Sequence, residues 1–161
     1  MIYIQLIGFL AFLVYTLSYS RDTYNKVLTY QLTANFAYTV HYFLLGGISA
    51  AFVCALDMLK DLVFLKQKKD RFKGAIVLII LYCLVTYIFY ENLSSLFPLL
   101  GSSVSVLVLA KNEKEWILKG GIITALMWLP YNIIVHSYSG IISEVIILLS
   151  AAVNLMKINK K

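Results

Sequence analysis

The stretch ISAAFVCALDMLKDLVFLKQKKDRFKGAIVLIILYCLVTYIFYEN, residues 48–92, decides the fold. An apolar run from Ile48 to Leu65 stops at Lys66-Gln67-Lys68-Lys69-Asp70-Arg71. A second run, Gly74 to Tyr90, then leads to Glu91-Asn92. Each run falls within the roughly 17–25 residues a helix needs to cross a hydrocarbon core. A block of cations between two such runs marks a loop held at a membrane surface.

The remainder divides in the same way. Further spans are expected from Ile2 to Tyr19, Val27 to Leu45, Leu93 to Ala110, Trp116 to Val135 and Gly140 to Met156, making seven. They are separated by Ser20-Arg21-Asp22, Gly46-Gly47, Glu91-Asn92 and Lys111-Asn112-Glu113-Lys114. The Gly46-Gly47 and Glu91-Asn92 breaks carry no cationic block, so each could be a turn or a kink. Composition points to the same class: 61% of the 161 residues are hydrophobic and 14% are charged. Soluble domains are about 45–50% apolar and about 25% charged. A soluble globule of this length could not hide so much apolar surface, and disorder needs the opposite composition. The first span lacks a positive n-region and a small-x-small cleavage site, so it reads as retained, and no lipidation motif is present.

The fourteen Lys and Arg residues test the span count. Arg21 and Lys26 follow span one. Lys60, Lys66, Lys68, Lys69, Arg71 and Lys73 surround the loop after span three. Lys111, Lys114 and Lys119 follow span five, and Lys157, Lys160 and Lys161 follow span seven. The loops after spans two, four and six contain none. The positive-inside rule then puts the N-terminus outside and the C-terminus in the cytoplasm. The net charge of +6 belongs to span ends that meet anionic lipid, not to a nucleic-acid surface. Cys54 and Cys83 lie inside apolar runs, and neither a disulfide framework nor a metal site has enough ligands. No cofactor is expected.

Matches at an offset of 93 residues suggest an internal repeat. Gly8 pairs with Gly101, Arg21 with Lys114, Asp22 with Glu115 and Lys26 with Lys119. Tyr38 then pairs with Tyr131, Gly47 with Gly140, Ile48 with Ile141 and Leu62 with Leu155. The expected architecture is all-α, a seven-helix membrane protein of two parallel three-helix bundles joined by a linker helix. Residues 1–66 form the first bundle, 67–92 the linker region and 93–161 the second bundle. Parallel repeats are one arrangement used by secondary transporters.

Polar side chains inside the spans are the candidate functional residues. Asn35, Tyr38, Thr39 and Tyr42 share one helical face of span two. The 93-residue offset matches them to Trp128, Tyr131, Asn132 and Val135 of span six. Two such faces could line a substrate cavity for a neutral or heteroaromatic solute, or could simply bond one helix to another. Asp57 lies near the middle of span three, with Lys60 and Asp61 one turn on. A coupling-ion site and a structural pair are both open, with Lys60 and Asp61 snorkelling toward the cytoplasmic interface. Glu144 lies about one turn inside the outer end of span seven, where no Lys or Arg is near. Its carboxylate must be solvated, hydrogen-bonded or protonated. His41 and His136 share that depth, so a Glu144–His41 contact is conceivable. Pro98 and Pro130 are candidate kinks or hinges. Asp57 and Glu144 lie at different depths and form no acid–base pair, so an enzyme is not expected.

Several segments resemble the YgjV family of small bacterial inner-membrane proteins. They are His41-Tyr42-Phe43-Leu44-Leu45-Gly46, Trp128-Leu129-Pro130-Tyr131-Asn132, Glu144, Asn154, Leu96-Phe97-Pro98-Leu99-Leu100-Gly101 and Gln5-Leu6-Ile7-Gly8. Tyr131 stands where that pattern would have a histidine, so no imidazole role carries over there. By its three-one-three layout the family looks like a relative of SWEET sugar transporters, PQ-loop carriers, nicotinamide-riboside transporters and KDEL receptors. The resemblance implies a location in the bacterial inner membrane and a cavity opened alternately to each side. The expected function is a carrier for a small polar or heteroaromatic metabolite. A receptor or structural subunit on the same fold is the alternative, and self-association into a homo-oligomer stays open.

Overall fold

Helices form at nearly every expected place. The computed structural model describes residues 2–18, 21, 23–67, 69–111 and 113–158, without the side chains of Lys114, Lys157 and Ile158. Tyr19, Ser20, Asp22, Lys68, Asn112, Lys160 and Lys161, which entered the span ends, charge pattern and repeat, lie outside the described residues. Seven α-helices and no strand are present among the described residues: α1 (Ile2–Ser18), α2 (Tyr24–Leu45), α3 (Ile48–Lys66), α4 (Arg71–Ile88), α5 (Leu96–Lys111), α6 (Lys114–Ile134) and α7 (Tyr138–Ile158). A short 3-10 turn, Leu93–Ser95, leads into α5.

Both uncertain breaks are turns. Gly46 ends α2 in the left-handed conformation, with φ at 83°, and Gly47 N–H donates to the Tyr42 carbonyl. A residue with a Cβ is disfavoured at such a φ, which is why a glycine sits there. At the other break, Glu91 reaches back to α3. Its carboxylate accepts from the backbone N–H groups of Ile48 and Ser49 and from the Ser49 hydroxyl. Those N–H groups would otherwise lack partners at a helix start, and a carboxylate there also complements the helix dipole.

The same turn recurs between α6 and α7, and it corrects the register of the repeat. His136 takes the left-handed place, φ 55°, and Ser137 N–H donates to the Asn132 carbonyl. Gly46 and His136 are 90 residues apart, as are the helix starts Tyr24 and Lys114, and Ile48 and Tyr138. The turns and the helices around them therefore recur at 90 residues rather than 93, while the ends of α1 and α5, Ser18 and Lys111, keep the 93-residue spacing. A slip of three residues is close to one helical turn, so it preserves the hydropathy pattern while mispairing individual side chains. In the corrected register Tyr38 matches Trp128, His41 matches Tyr131 and Tyr42 matches Asn132.

Helix neighbours follow one order. α2 packs between α1 and α3, and α6 between α5 and α7. α1 also meets α7, and α3 meets α5, so six helices close a ring; α4 lies outside it against α3 and α5. α4 shows why: Ala75, Leu78, Tyr82 and Thr86 face inward, while Ile76, Val77, Ile80, Leu84 and Tyr87 are exposed. Leu10, Leu13, Phe36, Phe43, Leu126 and Leu149 extend this apolar outer surface. Among the described residues, four segments are long and apolar enough to cross a membrane: Arg71–Ile88, Leu93–Lys111, Glu115–Ile134 and Tyr138–Met156. α1 is apolar but shorter, at 17 residues. α2 and α3 turn Gln31, Asn35, His41, Asp57, Lys60 and Asp61 to buried faces, while Asn25, Lys26, Thr29, Thr33 and Lys66 are exposed.

The two prolines differ. Pro130 lies inside α6 and removes a helix hydrogen bond there. Pro98 does not fit the expected kink. It is the third residue of α5, in the first turn, where backbone N–H groups have few helical partners to lose.

Candidate functional site

A cavity of about 830 Å³ runs along the inside of the ring. All six ring helices line it and α4 does not. That volume lies within the range of small-molecule sites. One end reaches Arg21, Tyr24 and Asn154, beside the basic loops; the other stops at Tyr42 and Trp128.

The blind end is aromatic. The Tyr42 ring lies 5.9 Å from Tyr38, nearly parallel to it, and 5.6 Å from Trp128. Tyr131 packs edge-on to both Tyr42 and Trp128 from behind. The Tyr42 hydroxyl donates to Asn132 Oδ1 at 2.6 Å. These two residues are 90 positions apart, the same spacing as the two left-handed turns at Gly46 and His136. A second matched pair flanks this contact. His41 reaches Ser137, the residue equivalent to Gly47, at 2.8 Å. Tyr131, the residue equivalent to His41, lays its hydroxyl against Gly47, where a Cβ would come within 2.5 Å of it.

His41 is fully tied into this layer. Its Nδ1 lies 2.8 Å from the Ile4 carbonyl and its Nε2 2.8 Å from the Ser137 hydroxyl. A carbonyl only accepts, so Nδ1 carries a proton, and in the neutral ring Nε2 accepts from Ser137. Gly8 is required beside it, since a Cβ there would run into His41 and Ser139. The Glu144–His41 contact conceived from sequence does not form, and His136 is exposed in its turn.

The sequence-based set thus splits. Asn35, Tyr38, Tyr42 and Trp128 line the cavity. Tyr131 and Asn132 do not; they sit behind its blind end, both buried. Thr39 turns away too, its hydroxyl donating to the Asn35 carbonyl beside Met58. Gln31, one turn before Asn35 on the same face, lines the wall and was legible from its i, i+4 spacing. Ser102, Ser105 and Ser143 also line it, and only the tertiary arrangement singles them out.

Asp57, Lys60 and Asp61 form one buried cluster on α3. Lys60 Nζ lies 3.0 Å from Asp57 and 3.7 Å from Asp61. Asp57 also accepts from the hydroxyls of Tyr82 on α4, at 2.7 Å, and Ser102 on α5, at 2.8 Å. Asp61 accepts from the Asn35 amide at 2.8 Å. Lys60 and Asp61 are 3% and 0% exposed, so they do not snorkel as expected. Partners on α2, α4 and α5 make staying inside the cheaper choice.

Glu144 is different. It faces the cavity and makes no hydrogen bond or ion pair with any described residue. α7 starts at Tyr138, two residues before the expected Gly140, so Glu144 lies about 9 Å into the helix rather than one turn. Among the described residues no group of three or more His, Cys, Asp or Glu is placed to hold a metal.

A multi-pass, apolar-surfaced helical chain with this interior fits one comparison. The family model Imp-YgjV, bacterial inner membrane protein, matches residues 2–161. No curated protein and no solved structure matches the chain. With that match spanning almost every residue, the chain belongs to the YgjV family of bacterial inner membrane proteins.

Proposed function

We propose that the chain is a carrier for a small polar or aromatic metabolite, built from seven membrane spans as two parallel three-helix bundles, α1–α3 and α5–α7, joined by α4. The observation that carries this reading is the cavity of about 830 Å³ lined by all six bundle helices and sealed at one end by residues equivalent in the two halves. The neighbour pattern supports it, because α1 against α7 becomes α5 against α3 when the halves are exchanged. A purely structural subunit would gain nothing from an unfilled interior, since packed protein cores hold few voids larger than a water.

With the basic loops in the cytoplasm, the end at Arg21 and Asn154 opens inward and the Tyr42–Asn132 layer is the outer seal. Alternating access then requires that layer to part while the α1–α2 and α6–α7 ends close. No step of this cycle makes or breaks a covalent bond, so the protein is not an enzyme on this reading. The test is a thermal-shift screen of purified protein against sugars, nucleosides and vitamins, followed by uptake of any stabilising solute into proteoliposomes. Stabilisation with uptake supports the carrier. Stabilisation without uptake points to a receptor, and neither result leaves the carrier reading without a solute.

A further inference from the structure

The charges around the cavity do not balance locally. Four lining side chains are ionisable: Arg21, Asp57, Lys60 and Glu144. Arg21 sits at the open end, its guanidinium 4.7 Å above the Tyr30 ring and its Nε donating to the Leu17 carbonyl. Asp57 and Lys60 engage each other, with Asp61 behind them, so that cluster formally carries one net negative charge. Glu144 adds a second carboxylate, with no cation of the described protein beside it. Six residues into α7, it sits as far from the α6–α7 turn as Trp128, six residues before the end of α6, so both lie toward the aromatic end of the cavity.

Two features there favour the same ligand chemistry. An unpaired carboxylate inside an apolar helix bundle is costly, and a bound cation answers it where water or a proton otherwise would. The faces of Tyr and Trp rings attract cations through their quadrupole, most strongly where water is excluded. Tyr38, Tyr42 and Trp128 present such rings. Ser102, Thr124 and Ser143, small hydroxyl residues, also line the cavity. A neutral polyol would use the hydroxyls but leave Glu144 unanswered.

We propose that the cavity binds a compact organic cation, with its charged nitrogen held between the Glu144 carboxylate and the Tyr42–Trp128 rings. This rests on the cavity's being a solute site and names the class of solute. The molecule carries one positive charge, is no larger than the aromatic end admits, and needs no metal or covalent step.

Purified protein is titrated with choline, tetramethylammonium and ethylammonium, and with 3,3-dimethyl-1-butanol, the uncharged carbon counterpart of choline. Thermal midpoint and heat of binding are followed. The cations are expected to stabilise the protein and the alcohol is not. Glu144→Gln should weaken cation binding roughly tenfold or more, which corresponds to about 1.4 kcal/mol. Glu144→Asp, which keeps the charge, should bind more tightly than Glu144→Gln. Trp128→Leu, a second variant independent of the carboxylate, should also weaken binding. The proposal is overturned if none of the three cations stabilises the protein, if the alcohol binds as well as choline, or if Glu144→Gln binds cations normally. In those cases a neutral solute that stabilises the wild type but not Trp128→Leu preserves the carrier reading and removes only the cation. Absence of stabilisation by every solute removes both.

Discussion

The third and seventh helices hold equivalent places, each opening after the same left-handed turn, at Ile48 and Tyr138. On α3, Asp57, Lys60 and Asp61 are held by one another and by hydrogen bonds from α2, α4 and α5. The positions 90 residues on, Ile147, Ser150 and Ala151, carry no charge at all. α7 instead places Glu144, 90 residues on from Cys54, facing the cavity with no hydrogen-bond or ion-pair partner among the described residues. The difference follows from α4. It packs on the α3 side of the ring and brings Tyr82 to Asp57, whereas α7 has no such outer neighbour. Charge on α3 therefore holds helices together, while the Glu144 carboxyl on α7 faces the cavity.

Breaking the α3 cluster should have the largest effect. Lys60→Met strands two buried carboxylates, and removing one partner of a buried ion pair costs about 3–5 kcal/mol. The expected result is a large fall in thermal midpoint or loss of monodisperse protein. A midpoint near the wild-type value would mean that the cluster does not hold the helices.

Tyr42→Phe tests the layer where the halves meet. Asn132 Oδ1 would lose its donor in a buried site, at a cost of about 1–3 kcal/mol. The loss should be read as a lower midpoint together with faster exchange of amides in α2 and α6.

The repeated turn allows a paired comparison of smaller size. At Gly46 a Cβ would meet nothing within 4 Å, so Gly46→Ala tests backbone conformation alone and should cost about 1 kcal/mol. His136→Gly, at the equivalent position, relieves the same strain and should stabilise the protein by at most about 1 kcal/mol. Opposite signs support the 90-residue register, and equal signs would refute it.

Glu144→Gln should have the smallest effect on stability, within about 0.5 kcal/mol of wild type or slightly stabilising, because no protein partner is lost. A fall as large as that of Lys60→Met would make the two helices alike and erase the comparison.

Much of the fold was legible because each helix is bounded by a local signal. The Lys66-to-Arg71 block, Gly46-Gly47 and the Lys111-to-Lys114 segment all fall at or beside observed helix ends. The register of the repeat was not legible, since three residues is nearly a full turn and hydropathy cannot resolve the slip. The site was legible in part for a related reason. Helical spacing told that Asn35, Tyr38, Thr39 and Tyr42 lie together on α2, but not which of them meets open space and which meets α3. Tyr131 and Asn132 belong to the seal because the turn after α2 closes over them, a contact between residues about 90 positions apart. Likewise nothing near Lys60 in sequence announces Asn35, Tyr82 or Ser102, the side chains that let its cluster stay buried.

Gly121 offers the most direct test of the central claim, that the two halves enclose a solute-accessible cavity open to the cytoplasm. It lines the cavity, and a side chain there would meet nothing within 4 Å. Gly121→Cys, in a chain with Cys54 and Cys83 replaced by alanine, would be treated with a membrane-impermeant maleimide in inside-out and right-side-out vesicles. Lys69→Cys and Asn92→Cys serve as controls for the two faces. The account predicts rapid modification at position 121 from the cytoplasmic face, slowed by a bound solute. Failure to react from either face, in protein whose Lys69→Cys control reacts normally, would contradict it.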